Sequence, residues 1–104
     1  MRNRVLQMLG IAAKSGNVVS GEFSTEKAIK TGHACLVIVS QEASENTRKM
    51  FENMTEFYGV PMHVFGTKDE LGRCIGKEFR ASLAIIDENL AKAVETKLES
   101  CKTE

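Results

Sequence analysis

The stretch from Val18 to Ser40, VVSGEFSTEKAIKTGHACLVIVS, constrains the fold more than any other part of the chain. A glycine leads into a short amphipathic helix over roughly Glu22–Lys30, Thr31-Gly32 ends it, and an apolar run from Ala34 to Val39 follows at once. From Cys35 to Val39 every residue is apolar, and Val37, Ile38 and Val39 are β-branched, so the segment reads as a central strand covered on both faces. The helix before it buries Phe23 or Thr25, then Ala28 and Ile29. A helix feeding directly into a strand buried on two sides calls for helices above and below a sheet.

The remaining segments fit that demand. Val5, Leu6, Met8, Leu9, Ala12 and Ala13 give a first helix with one broad apolar face, closed by Ser15-Gly16. Val18-Val19 is a short strand. Ser44 opens a third helix with Met50, Phe51, Met54 and Phe57 on its apolar side; Gly59 ends it, and Pro61 follows where a helix cannot resume. Met62 to Phe65 is a strand. Thr67-Lys68-Asp69-Glu70 is a capping box, opening a short fourth helix that stops at Gly76. Ser82 to Ile86 is a second buried strand, and a last helix begins near Asp87-Glu88. The expected fold class is α/β: a three-layer αβα sandwich around a small mixed β-sheet, one domain over residues 1–104.

At 104 residues and 42% apolar content the chain can close one core without metal or disulfide. Its longest apolar run is too short to cross a bilayer, and the N-terminus has no secretory h-region, so a cytoplasmic location and no membrane partner are expected. Cys35, Cys74 and Cys101 are odd in number, with two in segments that read as buried, which fits reduced thiols. His33 and His63 stand apart from any metal-ligand spacing, so neither metal nor cofactor is expected. Catalysis finds no support either. Ser24 and Thr25 have no histidine at a telling distance, and capping explains Asp69, Glu70 and Asp87. The formal net charge is zero, which argues against coating nucleic acid by bulk electrostatics. The distribution is uneven, however. Up to Ser40, Arg2, Arg4, Lys14, Lys27 and Lys30 face only Glu22 and Glu26, whereas from Ala81 on the acids Asp87, Glu88, Glu95, Glu99 and Glu104 outnumber Lys92, Lys97 and Lys102.

Gly21, before the second helix, would let a ligand's backbone approach the unpaired first N–H groups, and Lys27 adds charge within the first two turns. Gly21, Lys27-Ala28-Ile29, Gly32, the run Ala34 to Val39, and Thr67-Lys68-Asp69-Glu70-Leu71-Gly72 recur together in one order. In that order they resemble the kink-turn RNA-binding ribosomal protein superfamily, with its archaeal L-seven-Ae and eukaryotic L-thirty-e members. Ala43-Ser44-Glu45-Asn46-Thr47 and Phe57-Tyr58-Gly59-Val60-Pro61 look like its small bacterial, YlxQ-like branch. The resemblance runs from about Val5 to about Val94. It implies the same sandwich and a non-catalytic role with structured RNA of the ribosomal kind, and a protein partner in a ribonucleoprotein.

The resemblance also implies an RNA face made of Ser20, Gly21, Glu22, Phe23, Ser24 and Lys27, with Gly76, Lys77, Phe79 and Arg80 as a second loop. Kink-turn binders usually carry a basic residue before the glycine and an Asn-Glu pair two and three residues after it; here these positions are Ser20, Phe23 and Ser24. Each lost base contact of that kind removes roughly 1–3 kcal/mol of discrimination. Phe23 either stacks on a splayed base or packs under the helix start. Phe79 and Arg80 either offer an apolar contact and a phosphate fork, or are respectively core and solvated. Arg73 and Lys77 extend the basic rim, while Arg48 and Lys49 belong to a solvated face. The alternative function is a protein-interaction module on the same fold, like the Gadd-forty-five branch, with little RNA affinity.

Overall fold

The computed structural model describes residues 2–102, with the side chains of residues 4–100; the Cys101 thiol and the Arg2 side chain lie outside that description. The order is α1 (Arg2–Lys14), β1 (Val18–Ser20), α2 (Glu22–Lys30), β2 (Leu36–Val39), α3 (Glu45–Tyr58), β3 (Met62–Val64), α4 (Lys68–Cys74), β4 (Ser82–Ile85) and α5 (Glu88–Lys102). The strands form one mixed sheet in the order β1-β4-β2-β3. β4 is antiparallel to both β1 and β2, while β3 runs parallel to β2.

Period-two alternation along the central strands divides the interior into two cores. Leu36 and Ile38 of β2, with Leu83 and Ile85 of β4, meet Val5 and Leu9 of α1, Leu71 of α4, and Ala91, Val94 and Leu98 of α5. Val37, Val39 and Ala84 point the other way, onto Ala28 and Ile29 of α2 and Phe51 of α3. This is the expected αβα sandwich, with β2 and β4 buried at every residue.

The helix starts follow local chemistry. Ser44 Oγ accepts from the Thr47 amide, Thr67 and Glu70 form the reciprocal box, and Asp87 Oδ2 accepts from the Leu90 amide at 2.9 Å. Arg48 and Lys49 pair along α3 with Glu52 and Glu45.

Three details differ from expectation, and one left open is decided. Phe57 is not on the buried side of α3: it is 81% exposed, with its ring edge-on to Tyr58, centroids 5.0 Å apart. The buried line there is Phe51 and Thr55. Of the two candidates left open in α2, Thr25 goes inside and Phe23 does not. α4 ends at Cys74, with Gly76 in the turn beyond it. Cys35 and Cys74 are free thiols but only partly buried; burial raises both pKa values, that of Cys74 to about 11.

Candidate nucleic-acid interface

Two loops come together at one end of the sheet. β1 leaves the sheet at Ser20, and the Gly21 N–H donates to the Ser82 carbonyl at 3.0 Å, which pins the turn to the start of β4. Gly21 caps α2 with φ 91° and ψ 159°, a region essentially closed to residues with a Cβ. Beyond its two chain neighbours, no residue has a heavy atom within 4 Å of where its Cβ would be, so the space over the turn is open. Because glycine brings no capping side chain, the amides of Glu22, Phe23 and Ser24 head the helix without a side-chain acceptor; Thr25 is the first to bond back, to the Gly21 carbonyl. A short anion acceptor fits that vacancy and the positive end of the helix dipole.

The second loop is placed by α4. Gly72 sits where a Cβ would come within 1.7 Å of the Glu78 carbonyl oxygen, so only glycine lets residues 76–80 cross that helix so closely. The Lys77 amide donates to the Gly72 carbonyl at 2.9 Å and the Arg80 amide to the Lys68 carbonyl at 3.1 Å, lacing the loop onto α4 at both ends. Arg80, partly buried, then reaches across: its Nε donates to Ser20 Oγ at 3.1 Å and its Nη1 to the Phe79 carbonyl at 2.9 Å. These two bonds fix the guanidinium beside the Gly21 turn. Its Nη2 group has no partner among the described residues.

Each candidate residue can now be placed. Ser20, Gly21 and Arg80 converge directly. Glu22 is exposed in the first turn of α2. Phe23, Ser24 and Lys27 line a shallow recess of about 410 Å³ on the flank of α2. Phe23 is 78% exposed, and Lys27 makes no ion pair among the described residues, whereas Lys30 is held by Glu26 at 2.9 Å. That hydrogen bond raises the Lys30 pKa. Gly76 and Lys77 are exposed on the far side of the loop, and Phe79 is 67% exposed rather than core. Lys77 and Phe79 border a depression with Asp69 and Arg73, the latter two paired at 3.1 Å.

Sequence reasoning missed Val19, Thr31, His33 and Ile86, which complete the recess beside Phe23 and Lys27. The helical spacing from Phe23 to Lys27 to Thr31 was visible; the approach of Ile86 from the end of β4 was not. Among the described residues no cluster of His, Cys, Asp and Glu is arranged to hold a metal. No described helix is long and apolar enough to cross a membrane.

A mixed four-stranded sheet between two helical layers defines an αβα sandwich, and at one end of it a glycine-led helix start lies beside a loop arginine. The chain belongs to the Ribosomal protein L7Ae/L30e/S12e/Gadd45 family, whose model matches residues 3–95. It is 38% identical over 84 residues to the RNA-binding protein YlxQ of Bacillus subtilis, covering 81% of this chain and 84% of that one. To the large ribosomal subunit protein eL30 of Neurospora crassa it is 39% identical over 85 residues, 76% of this chain and 74% of that one. A Bacillus halodurans protein of unknown function superposes with a TM-score of 0.89 at 30% identity, covering 91% of this chain and 96% of that one. The Giardia lamblia 15.5kD RNA binding protein shares the fold, with a TM-score of 0.79 at 23% identity over 91% of this chain and 84% of that one.

Proposed function

We propose that this chain is a non-catalytic RNA-binding protein that recognises structured, kink-turn-like RNA, acting in the cytoplasm in association with ribosomes. The observation that carries the reading is the Arg80–Ser20 hydrogen bond, 3.1 Å long, which holds a cation against the uncapped start of α2. Phosphates of a sharply bent backbone would meet the α2 amides and the open face of the guanidinium together. The Gly21 turn, with no side chain over it, admits the sugar-phosphate chain closely. Membership of the family and the names of the YlxQ and eL30 relatives support RNA as the ligand. Phe23 and Ser24 stand where a kink-turn binder would read guanine edges, so the affinity expected is modest, on the order of micromolar.

The test is a comparison of a kink-turn RNA with an unbent duplex of the same base composition, using wild type and Arg80→Gln. Wild type should prefer the kink-turn, and Arg80→Gln should lose roughly tenfold in affinity for it, since a charge-assisted contact is worth about 1.5–3 kcal/mol. Equal binding of both RNAs by both proteins would sink the proposal and favour the protein-interaction alternative.

A further inference from the structure

β3 is an edge of the sheet, on the opposite side from β1 and the turn at Gly21. Its ladder to β2 uses alternate residues: the Pro61 carbonyl accepts from the Val37 amide at 2.9 Å, and the Phe65 amide donates to the Val39 carbonyl at 3.0 Å. In a parallel pair of that register, Met62 and Val64 turn their backbone N–H and C=O groups outward. No strand takes them up among the described residues. Native sheets often blunt such an edge with a lysine on the strand itself. β3 has none, and Val64 is 41% exposed.

The walls beside this edge are acidic. A recess of about 630 Å³ runs between β3 and α3, bordered by Glu52, Asn53 and Glu56. A second recess, of about 310 Å³ and sharing Val60 with the first, is bordered by Glu88, Lys92 and Glu95 of α5. Lys92 is matched by Glu88 at 3.4 Å, and Arg48 approaches Glu52 only to 3.9 Å. Glu56 makes no ion pair among the described residues. His63 Nε2 lies 3.1 Å from Glu95 Oε2, which holds that carboxylate against the strand. The exposed Phe57 follows Asn53 by one helical turn and so lies on the same flank of α3.

We infer that the β3 edge binds an extended, lysine- or arginine-rich segment of a partner protein, which adds a strand to the sheet. The outward groups of Met62 and Val64 supply the main-chain hydrogen bonds, and alternate side chains of the added strand face the acids of α3 and α5. Charge decides among the occupants. An RNA backbone would meet these carboxylates with like charge. A second copy of β3 would bring its own Glu52, Glu56 and Glu95 against them. A basic segment is attracted by the same groups that repel the other two. The edge is separate from the α2 interface, so the inference stands whether or not RNA binds there.

The test uses the isotopically labelled full chain and two short extended peptides, one alternating valine with lysine and the other valine with glutamate. The lysine peptide should slow hydrogen exchange at the Met62 and Val64 amides and shift their NMR signals, while the signals of Ser20 and Gly21 stay in place. The glutamate peptide should do neither. N-methylation of alternate residues of the lysine peptide, on the side that meets β3, should abolish its binding. The double variant Glu52→Lys, Glu56→Lys should lose roughly tenfold in affinity for the lysine peptide and gain affinity for the glutamate peptide. Both positions are exposed, so its melting temperature should stay at the wild-type value. Val64→Pro removes an outward N–H that no ladder bond uses, and should abolish peptide binding without changing the affinity for kink-turn RNA. Should that variant fail to fold, the N-methylated peptide makes the same test from the ligand side. Equal binding of the two peptides, no binding of the lysine peptide, or binding that leaves the Met62 and Val64 amides unprotected overturns the inference. Protection of those amides by kink-turn RNA alone, or by raising the concentration of the chain alone, also overturns it, because RNA or a second copy would then be the occupant.

Discussion

Gly72 shows how one residue can control a distant contact. Its absent Cβ makes room for the Glu78 carbonyl, and the three nearest opposing atoms are all backbone, which cannot swing aside as a flexible side chain would. Gly72→Ala is therefore expected to destabilise the fold by about 1–3 kcal/mol, the usual cost of forced overpacking, read as a lower urea midpoint. The displaced loop carries Arg80 away from Ser20, so RNA affinity should fall as well, even though Gly72 is buried and touches no ligand. A stable Gly72→Ala variant with wild-type RNA affinity would show that the loop can lift off α4 without moving the arginine. Gly10 fills a milder version of the role: a Cβ there would lie 2.9 Å from the Cys74 carbonyl, so α1 also approaches α4 closely.

At the scale of elements, α2 and α4 are capped in opposite ways, and in the proposed reading the difference separates binding from support. α4 spans only seven residues, yet it is closed by a full reciprocal box at Thr67 and Glu70. Thr67→Ala should cost about 1 kcal/mol of stability, the usual worth of a cap, and loosen the Lys68 carbonyl that anchors the Arg80 amide. Hydrogen exchange at the Arg80 amide should accelerate more than exchange in β2. If both change equally, the cap acts only on global unfolding and has no local hold on the loop. This box was legible from four consecutive residues, as were the central strands, because caps and two-sided apolar runs are local signals. Phe57 was misplaced because spacing alone gives the periodicity of a helix but not the width of its buried stripe. α3 covers one flank of the sheet, and its last turn runs past the edge into solvent. The Ser20–Arg80 bond spans 60 positions along the chain and exists only because β1 and β4 are paired, a register that no local pattern encodes. That the Gly21 turn and the Arg80 loop lie at the same end of the fold was expected from the order of elements. The link that makes them one surface was not.

For the whole molecule, electrostatics must work through placement, since the formal net charge is zero. A neutral protein gains little from long-range attraction to RNA, so its salt dependence should count local phosphate contacts and not overall charge. Arg80 is held in place by two hydrogen bonds, whereas Lys27, on a four-carbon stem, makes no ion pair among the described residues, and the acids in α5 belong to a different helix layer. Lys27→Ala removes an exposed charge, so its stability should stay within about 0.5 kcal/mol of wild type. In a titration with monovalent salt, the slope of log affinity against log salt should become shallower by about 0.9 for a phosphate contact on duplex RNA, or by about 0.7 on a single strand. Arg80→Gln should produce a change of the same size. The double variant should show the sum, because each cation releases its own counterions. A slope unaltered by Lys27→Ala, with unaltered affinity, would mean that the lysine contacts no phosphate. The charge at the start of α2 would then come from Arg80 and the helix amides alone.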